Sequence, residues 1–209
     1  MAKLVPAAVE RGYLRMTGPM VRSLVRAGVR PNTLTTVGAL VILASSVAFG
    51  VGQIALGGWL ILASGVIDTL DGQVARHGAQ TSKFGAFYDS TLDRVGDGAT
   101  FIGIAAYLQH APDTRWREEA VILCMVGVLA ALLVSYMRAR AEGLGLECKV
   151  GLAQRAERIL LLGLPTALVG AGPGGAILTG IVAALTLLSL ITVGQRFVHI
   201  HRLTAVPDA

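Results

Sequence analysis

The chain has 209 residues, 54% of them hydrophobic and 15% charged, with a formal net charge of +5 and a mean hydropathy of +0.65. That balance excludes an ordinary soluble domain and predicts an integral membrane protein. The Lys and Arg residues sit at the ends of apolar runs and build no continuous basic face, which argues for membrane topology and contact with anionic lipid or phosphate, and against a nucleic-acid partner.

Residues 5–28 place Arg11, Arg15, Arg22 and Arg26 on one helical face and Val9, Tyr13, Met16, Met20 and Leu24 on another. This pattern predicts an amphipathic helix lying in the membrane interface, with Pro19 as a candidate break. The first residues have no apolar run ahead of their charges, so no cleavable signal peptide is expected. Pro31-Asn32-Thr33 is a helix start, and Leu34–Val51 is the first expected span. The second runs from Ile54 to about Ala75. After a polar loop over 77–83, the third runs from Phe84 to about Leu108. A second polar loop precedes the fourth span, Ala120 to about Glu142. The fifth covers Ile159–Val169 and is short for a crossing unless its helix begins near Leu152. The sixth is Ala176 to about Phe197.

The expected fold is therefore an all-α integral membrane protein: an N-terminal interfacial amphipathic helix plus six transmembrane helices, in one domain over 1–209 with the six-helix bundle at 33–203. All Lys and Arg except Arg115 and Arg117 fall on one side of this arrangement. The positive-inside rule then puts both termini in the cytoplasm of a multi-pass cell-membrane protein. Trp59 and Trp116 fall at the outer boundary as interfacial anchors. Cys124 and Cys148 have no framework spacing and read as free thiols. His77, His110, His199 and His201 match no ligand spacing.

Against this apolar background, the stretch 68–93, DTLDGQVARHGAQTSKFGAFYDSTLD, carries four aspartates. Asp68 and Asp71 are three apart and Asp89 and Asp93 four apart, so each pair projects from one face of its helix. Carboxylates in a membrane need a partner. An oxygen-only set suits a hard divalent cation such as Mg²⁺, with Mn²⁺ as a substitute, and two ions would balance four carboxylates. A cation pathway is an alternative use of such residues, but it calls for carboxylates near mid-membrane and repeat symmetry, and no repeat is visible.

The pattern D-x2-D-G-x2-A-R-x8-G-x3-D-x3-D, filled by Asp68, Asp71, Gly72, Ala75, Arg76, Gly85, Asp89 and Asp93, resembles the signature of the CDP-alcohol phosphotransferase family. The resemblance implies a membrane transferase that moves a substituted phosphate from a CDP-linked lipid to an alcohol, releases CMP at the cytoplasmic face, and works as a homodimer. It implies metal ligation by Asp68, Asp71, Asp89 and Asp93, with Asp93 also the general base. Gly72 and Ala75 would leave room for the nucleotide of CDP-diacylglycerol, and Arg76 would meet its phosphates. Asn32 and Thr33 are helix-capping residues first and nucleotide contacts by family analogy. Thr81, Ser82 and Lys83 are loop residues or phosphate contacts.

The segment 135–158 brings Arg138, Arg140, Lys149, Arg155 and Arg158 to the same side, joined by Arg196. So much positive charge favours a soluble phosphorylated alcohol as acceptor. Its RARAEGLG and VGLAQRAER strings resemble the corresponding region of the actinobacterial phosphatidylinositol-phosphate synthase branch of that family. This implies inositol 1-phosphate as acceptor and a phosphate pocket at Ser135, Arg138, Arg155 and Arg196. Glycerol 3-phosphate remains the alternative acceptor.

Overall fold

Turn residues and caps set the helix boundaries. In the computed structural model, which describes residues 7–112, 114, 116–152 and 155–205 (7–16 as backbone alone), Pro31 supplies the first residue of helix α2 (Pro31–Gly50), where its missing N–H costs nothing. Gly52, at φ +82°, turns the chain into α3 (Ile54–His77). Ser82 caps α4 (Lys83–His110), its Oγ accepting the Gly85 N–H at 2.9 Å. Glu118 and Glu119 lie at the positive end of the α5 dipole (Arg117–Gly143). Gly145, at φ +74°, follows α5. Helix α6 (Arg155–Val169), a 3-10 turn (Pro173–Gly175) and α7 (Ala176–Thr204) complete the chain. Ahead of them lies α1 (Ala7–Arg26), which continues through Pro19 without a break.

The helices α2–α7 pack in a closed circuit: α2 on α3, α3 on α6, α6 on α7, α7 on α5, α5 on α4, and α4 back on α2. A core of Ile42, Phe49, Ile61, Ile104, Leu108, Leu162 and Leu178 fills the interior. Glycines let backbones approach where membrane helices lack a hydrophobic driving force for association. A methyl on Gly58 would meet the backbone of Ala167 on α6, and one on Gly103 would meet the backbone of Ser46 on α2. Outside the circuit, α1 packs on α3 through Val21, Leu70 and Val74, and Thr17 Oγ1 lies 3.2 Å from Gln73 Oε1.

Among the described residues, four helical segments are long and apolar enough to cross a membrane: Pro31–Gly50, Ile54–His77, Arg117–Gly143 and Pro173–Thr204. The expected third and fifth spans exist as helices but differ in kind. Helix α4 is long, yet its first 15 residues carry Asp89, Asp93, Arg94 and Asp97. Helix α6 has 15 residues, roughly 22 Å at 1.5 Å per residue, against a hydrocarbon core of about 30 Å. Ahead of α6, Gly151 has φ +141° and the Leu152 N–H donates to Thr192 Oγ1 on α7 at 3.2 Å; residues 153 and 154, on which the expected start near Leu152 turns, lie outside the described residues. The side chains of Val9, Arg11, Tyr13, Arg15 and Met16, which define the two faces expected of the N-terminal helix, lie outside the described residues, as does Arg115.

Candidate active site

The alternation of helix directions brings the N-terminal ends of α2, α4 and α6 and the C-terminal ends of α3, α5 and α7 to one end of the bundle. Every candidate site residue lies there. Trp59 and Trp116, both exposed, mark the opposite end.

Asp68 and Asp71 project from the last turns of α3, and Asp89 from the second turn of α4. One carboxylate oxygen from each of these three lies within 4.8 Å of the other two. Asp71 is 7% exposed and accepts a 2.7 Å hydrogen bond from Thr35 Oγ1 on α2. Asp89 Oδ1 is buried with no hydrogen-bond partner among the described residues. Three converging carboxylate oxygens, with an orphaned buried oxygen on one of the three residues, fit a hard divalent cation.

Asp93, one turn beyond Asp89, faces the same space but is held differently. Its Oδ1 lies 2.6 Å from Arg155 Nη1, and its Oδ2 lies 3.9 Å from Arg94 Nη2. Arg155 Nε also comes within 3.8 Å of Asp68 Oδ2. A void of about 10 Å³, room for about one water, is lined by Thr35, Asp68, Asp71, Asp93 and Arg155.

On the other side of Asp71 and Asp89 opens a larger cavity of about 200 Å³ between α2, α3 and the start of α4. Its wall includes Asn32, Gly72, Ala75, Arg76, Thr81 and Ser82, together with Gln80 and Gly85. Sequence and structure thus gather most of the expected nucleotide set around one space. Thr33 and Lys83 are exposed and do not line it. A methyl on Gly72 would meet only the Arg76 guanidinium, 3.8 Å away, so the missing side chain keeps this cavity open.

The expected acceptor residues fall into two groups. Arg155 stands among the aspartates. Ser135, Arg138 and Arg196 lie where α5 meets α7: Arg196 Nη1 donates to the Val134 carbonyl and its Nε donates to the Val150 carbonyl at 3.0 Å. Arg138 is exposed and paired with Glu142 at 2.9 Å, and Ser135 Oγ donates to the Ala131 carbonyl at 3.3 Å. Arg138 and Arg158 are the cationic neighbours of Arg196. The α5–α6 loop is tied down by α7, with His199 Nε2 3.2 Å from the Glu147 carbonyl.

Thr35 and Asp97 belong to this end of the bundle and escaped the sequence reading, while Arg158, counted there among the basic residues of the 135–158 segment, was given no site role. Asp97 continues the four-residue spacing of Asp89 and Asp93, and Arg158 follows Arg155 by three, so both were visible as helix-face neighbours. Thr35 gave no signal beyond lying one turn past Asn32.

A membrane-type helical bundle with a carboxylate triad opening on a cavity lined by basic and hydroxyl side chains defines a class: membrane enzymes that handle phosphate esters with a divalent metal. The sequence model described as CDP-alcohol phosphatidyltransferase matches residues 29–197, and the chain belongs to that family. It is 36% identical over 200 residues to the phosphatidylinositol phosphate synthase of Cutibacterium acnes, covering 91% of this chain and 95% of that protein. The crystal structure of Mycobacterium tuberculosis phosphatidylinositol phosphate synthase with CDP-DAG bound superposes with a TM-score of 0.79 at 29% identity, covering 93% of this chain and 98% of that one. A second crystal structure of the M. tuberculosis enzyme, in complex with manganese and citrate, gives 0.75 at 30% identity and covers 87% of each chain.

Proposed function

We propose that this protein transfers the phosphatidyl group of CDP-diacylglycerol to inositol 1-phosphate, giving phosphatidylinositol phosphate and CMP. The observation that carries the reading is the triad of Asp68, Asp71 and Asp89, two of whose members, Asp71 and Asp89, stand in the wall of a cavity lined by Asn32, Gly72, Ala75, Arg76, Thr81 and Ser82. The names of the relatives point to the same acceptor.

In this reading Asp68, Asp71 and Asp89 hold one divalent cation, and Asp93 joins them on a second, Mg²⁺ or Mn²⁺. Bound there, the metal supplies charge neutralisation for the donor pyrophosphate and for the leaving CMP. The cavity takes the cytidine nucleotide: Gly72 and Ala75 leave space, while Arg76, Asn32, Thr81 and Ser82 offer donors. Thr33, in the first turn of α2, and Lys83, the first residue of α4, do not line the cavity, and the α2 N-cap is Arg30 with no side-chain cap bond, so the expected capping by Asn32 and Thr33 is not made. Asp93 accepts the proton of the acceptor hydroxyl, its carboxylate fixed by Arg155 at 2.6 Å. The acceptor oxygen forms its bond to the lipid phosphorus as the bond from that phosphorus to the CMP oxygen breaks. Arg155, Arg138, Arg196 and Ser135 receive the acceptor phosphate, for which paired guanidinium donors are suited.

The whole chain, 1–209, acts as one membrane domain, with the N-terminal helix (5–28) at the interface and six spans over 33–203. The basic residues at the site end support a cytoplasmic site, cytoplasmic termini and contact with anionic lipid of the cell membrane. A homodimer is the expected assembly. The deciding experiment supplies purified protein with CDP-diacylglycerol and Mg²⁺ and compares CMP release with inositol 1-phosphate, glycerol 3-phosphate, inositol and serine. Inositol 1-phosphate should give the fastest release. Faster release with glycerol 3-phosphate or an unphosphorylated acceptor overturns the acceptor assignment.

A further inference from the structure

Asp97 stands one turn beyond Asp93 on α4, outside the eight-position motif, and its side chain is 13% exposed. Its Oδ2 accepts a 2.9 Å hydrogen bond from Arg158 Nη2, and its Oδ1 lies 4.0 Å from Arg155 Nη1. Arg155 and Arg158 are three apart on α6, hence on one face. The result is a ladder between two helices, Asp93 to Arg155 to Asp97 to Arg158. At its far end Arg158, 9% exposed, is a cationic neighbour of Arg196. The ladder therefore runs from the arginine among the catalytic aspartates toward the basic group at the α5–α7 corner.

Of the three carboxylates that reach Arg155, Asp68 and Asp93 are committed to the catalytic cluster and Asp97 is not. An arginine is a reliable phosphate donor only when its planar fork is held in place, and Asp97 is the holding group left over for that task. We propose that Asp97 is a positioning residue for the acceptor phosphate: through Arg155 and Arg158 it fixes the guanidinium donors that meet that phosphate. The inference rests on the proposed transfer to inositol 1-phosphate and assigns Asp97 no contact with substrate.

The test is Asp97→Asn, which keeps the side-chain shape and an acceptor for Arg158 but removes the charge. The KM for inositol 1-phosphate should rise about tenfold, the scale of one charge-assisted contact, while the KM for CDP-diacylglycerol stays within about twofold. Inositol 1-phosphate added without lipid donor should raise the melting temperature of the wild type, and this shift should shrink in the variant, while the shift from CDP-diacylglycerol persists. In a double-mutant cycle with Arg155→Lys, the two effects on acceptor KM should be markedly less than additive. Unchanged acceptor KM, equal changes in both KM values, or full additivity overturns the positioning role. Should Asp97→Asn fail to fold, Asp97→Glu and Arg158→Lys make the same comparison, with the same two outcomes. Wild-type protein that releases no CMP with any phosphorylated acceptor overturns the functional reading itself, and this inference with it. An active wild type beside an indifferent Asp97→Asn overturns only the inference.

Discussion

At the scale of single residues the geometry separates carboxylates that the spacing alone treats alike. Asp68, Asp71 and Asp89 converge within 4.8 Å, while Asp93 is engaged by Arg155. Asp93→Asn retains size and keeps an oxygen beside Arg155, but it is a poor proton acceptor. Turnover should fall by about 10²–10⁴-fold, the range for loss of a general base, while CDP-diacylglycerol binding measured by titration stays near wild type. Near-normal turnover would remove the base role. Gly72→Val tests the cavity. Its side chain would enter the space now bounded only by Arg76, so the KM for CDP-diacylglycerol should rise at least about tenfold and that for the acceptor should not. Parallel rises in both would show that the nucleotide lies elsewhere. The motif aspartates could be read from the sequence because their spacing on two helices already implies one face and one end. Thr35 could not, since its bond to Asp71 joins positions 36 apart and hydroxyls on apolar helices usually bond their own backbone, as Thr36 does with the Asn32 carbonyl. Arg196 was legible as a cation at the right end, but its donation to the Val134 and Val150 carbonyls depends on a loop path that no periodicity encodes.

At the scale of helices, the site depends on how closely α6 approaches α3, because α6 delivers Arg155 and α3 delivers Asp68 and Asp71. That approach runs through Gly58, where an added methyl meets the Ala167 backbone and Thr166 Oγ1. Backbone cannot rotate away as a side chain can, so Gly58→Ala should destabilise by about 1–3 kcal/mol, seen as a lower melting temperature in detergent, with reduced CMP release as α6 is displaced. Gly180→Ala on α7, where an added methyl meets nothing within 4 Å, is the matched control. It should be neutral or stabilising by up to about 1 kcal/mol, the helix propensity gained. Equal melting temperatures for the two variants would show that the α3–α6 contact does not limit stability. Helix order and most boundaries followed from Pro31, Ser82 and the glycine turns, which act locally. The path of the chain into α6 did not, because the Leu152 N–H is held by Thr192 forty positions away, a long-range bond that no local pattern encodes.

At the scale of the whole molecule, the open question is the number of crossings, since four segments meet the length and apolarity of a span and the packing circuit contains six helices. Helix α4 decides it. Its 28 residues reach about 42 Å, and its Asp, Lys and Arg residues all lie within its first 15 positions, toward the carboxylate cluster, while Phe101, Ile104 and Leu108 fill the core farther along. Packed between α2 and α5, which are both apolar enough to span, α4 is expected to run with them, its charged turns sheltered by Arg155, Arg158 and the interior of the site. Parity of the termini is no test, because four and six crossings both return the chain to its starting side. The connections on either side of α4 are. In a background with Cys124 and Cys148 replaced, single cysteines at Ala79 and at Thr114 should react with a membrane-impermeant thiol reagent from opposite faces of sealed vesicles, Ala79 from the face that carries the site. Labelling of both from one face would mean that α4 does not cross, and would leave the aspartates on a helix that enters and returns.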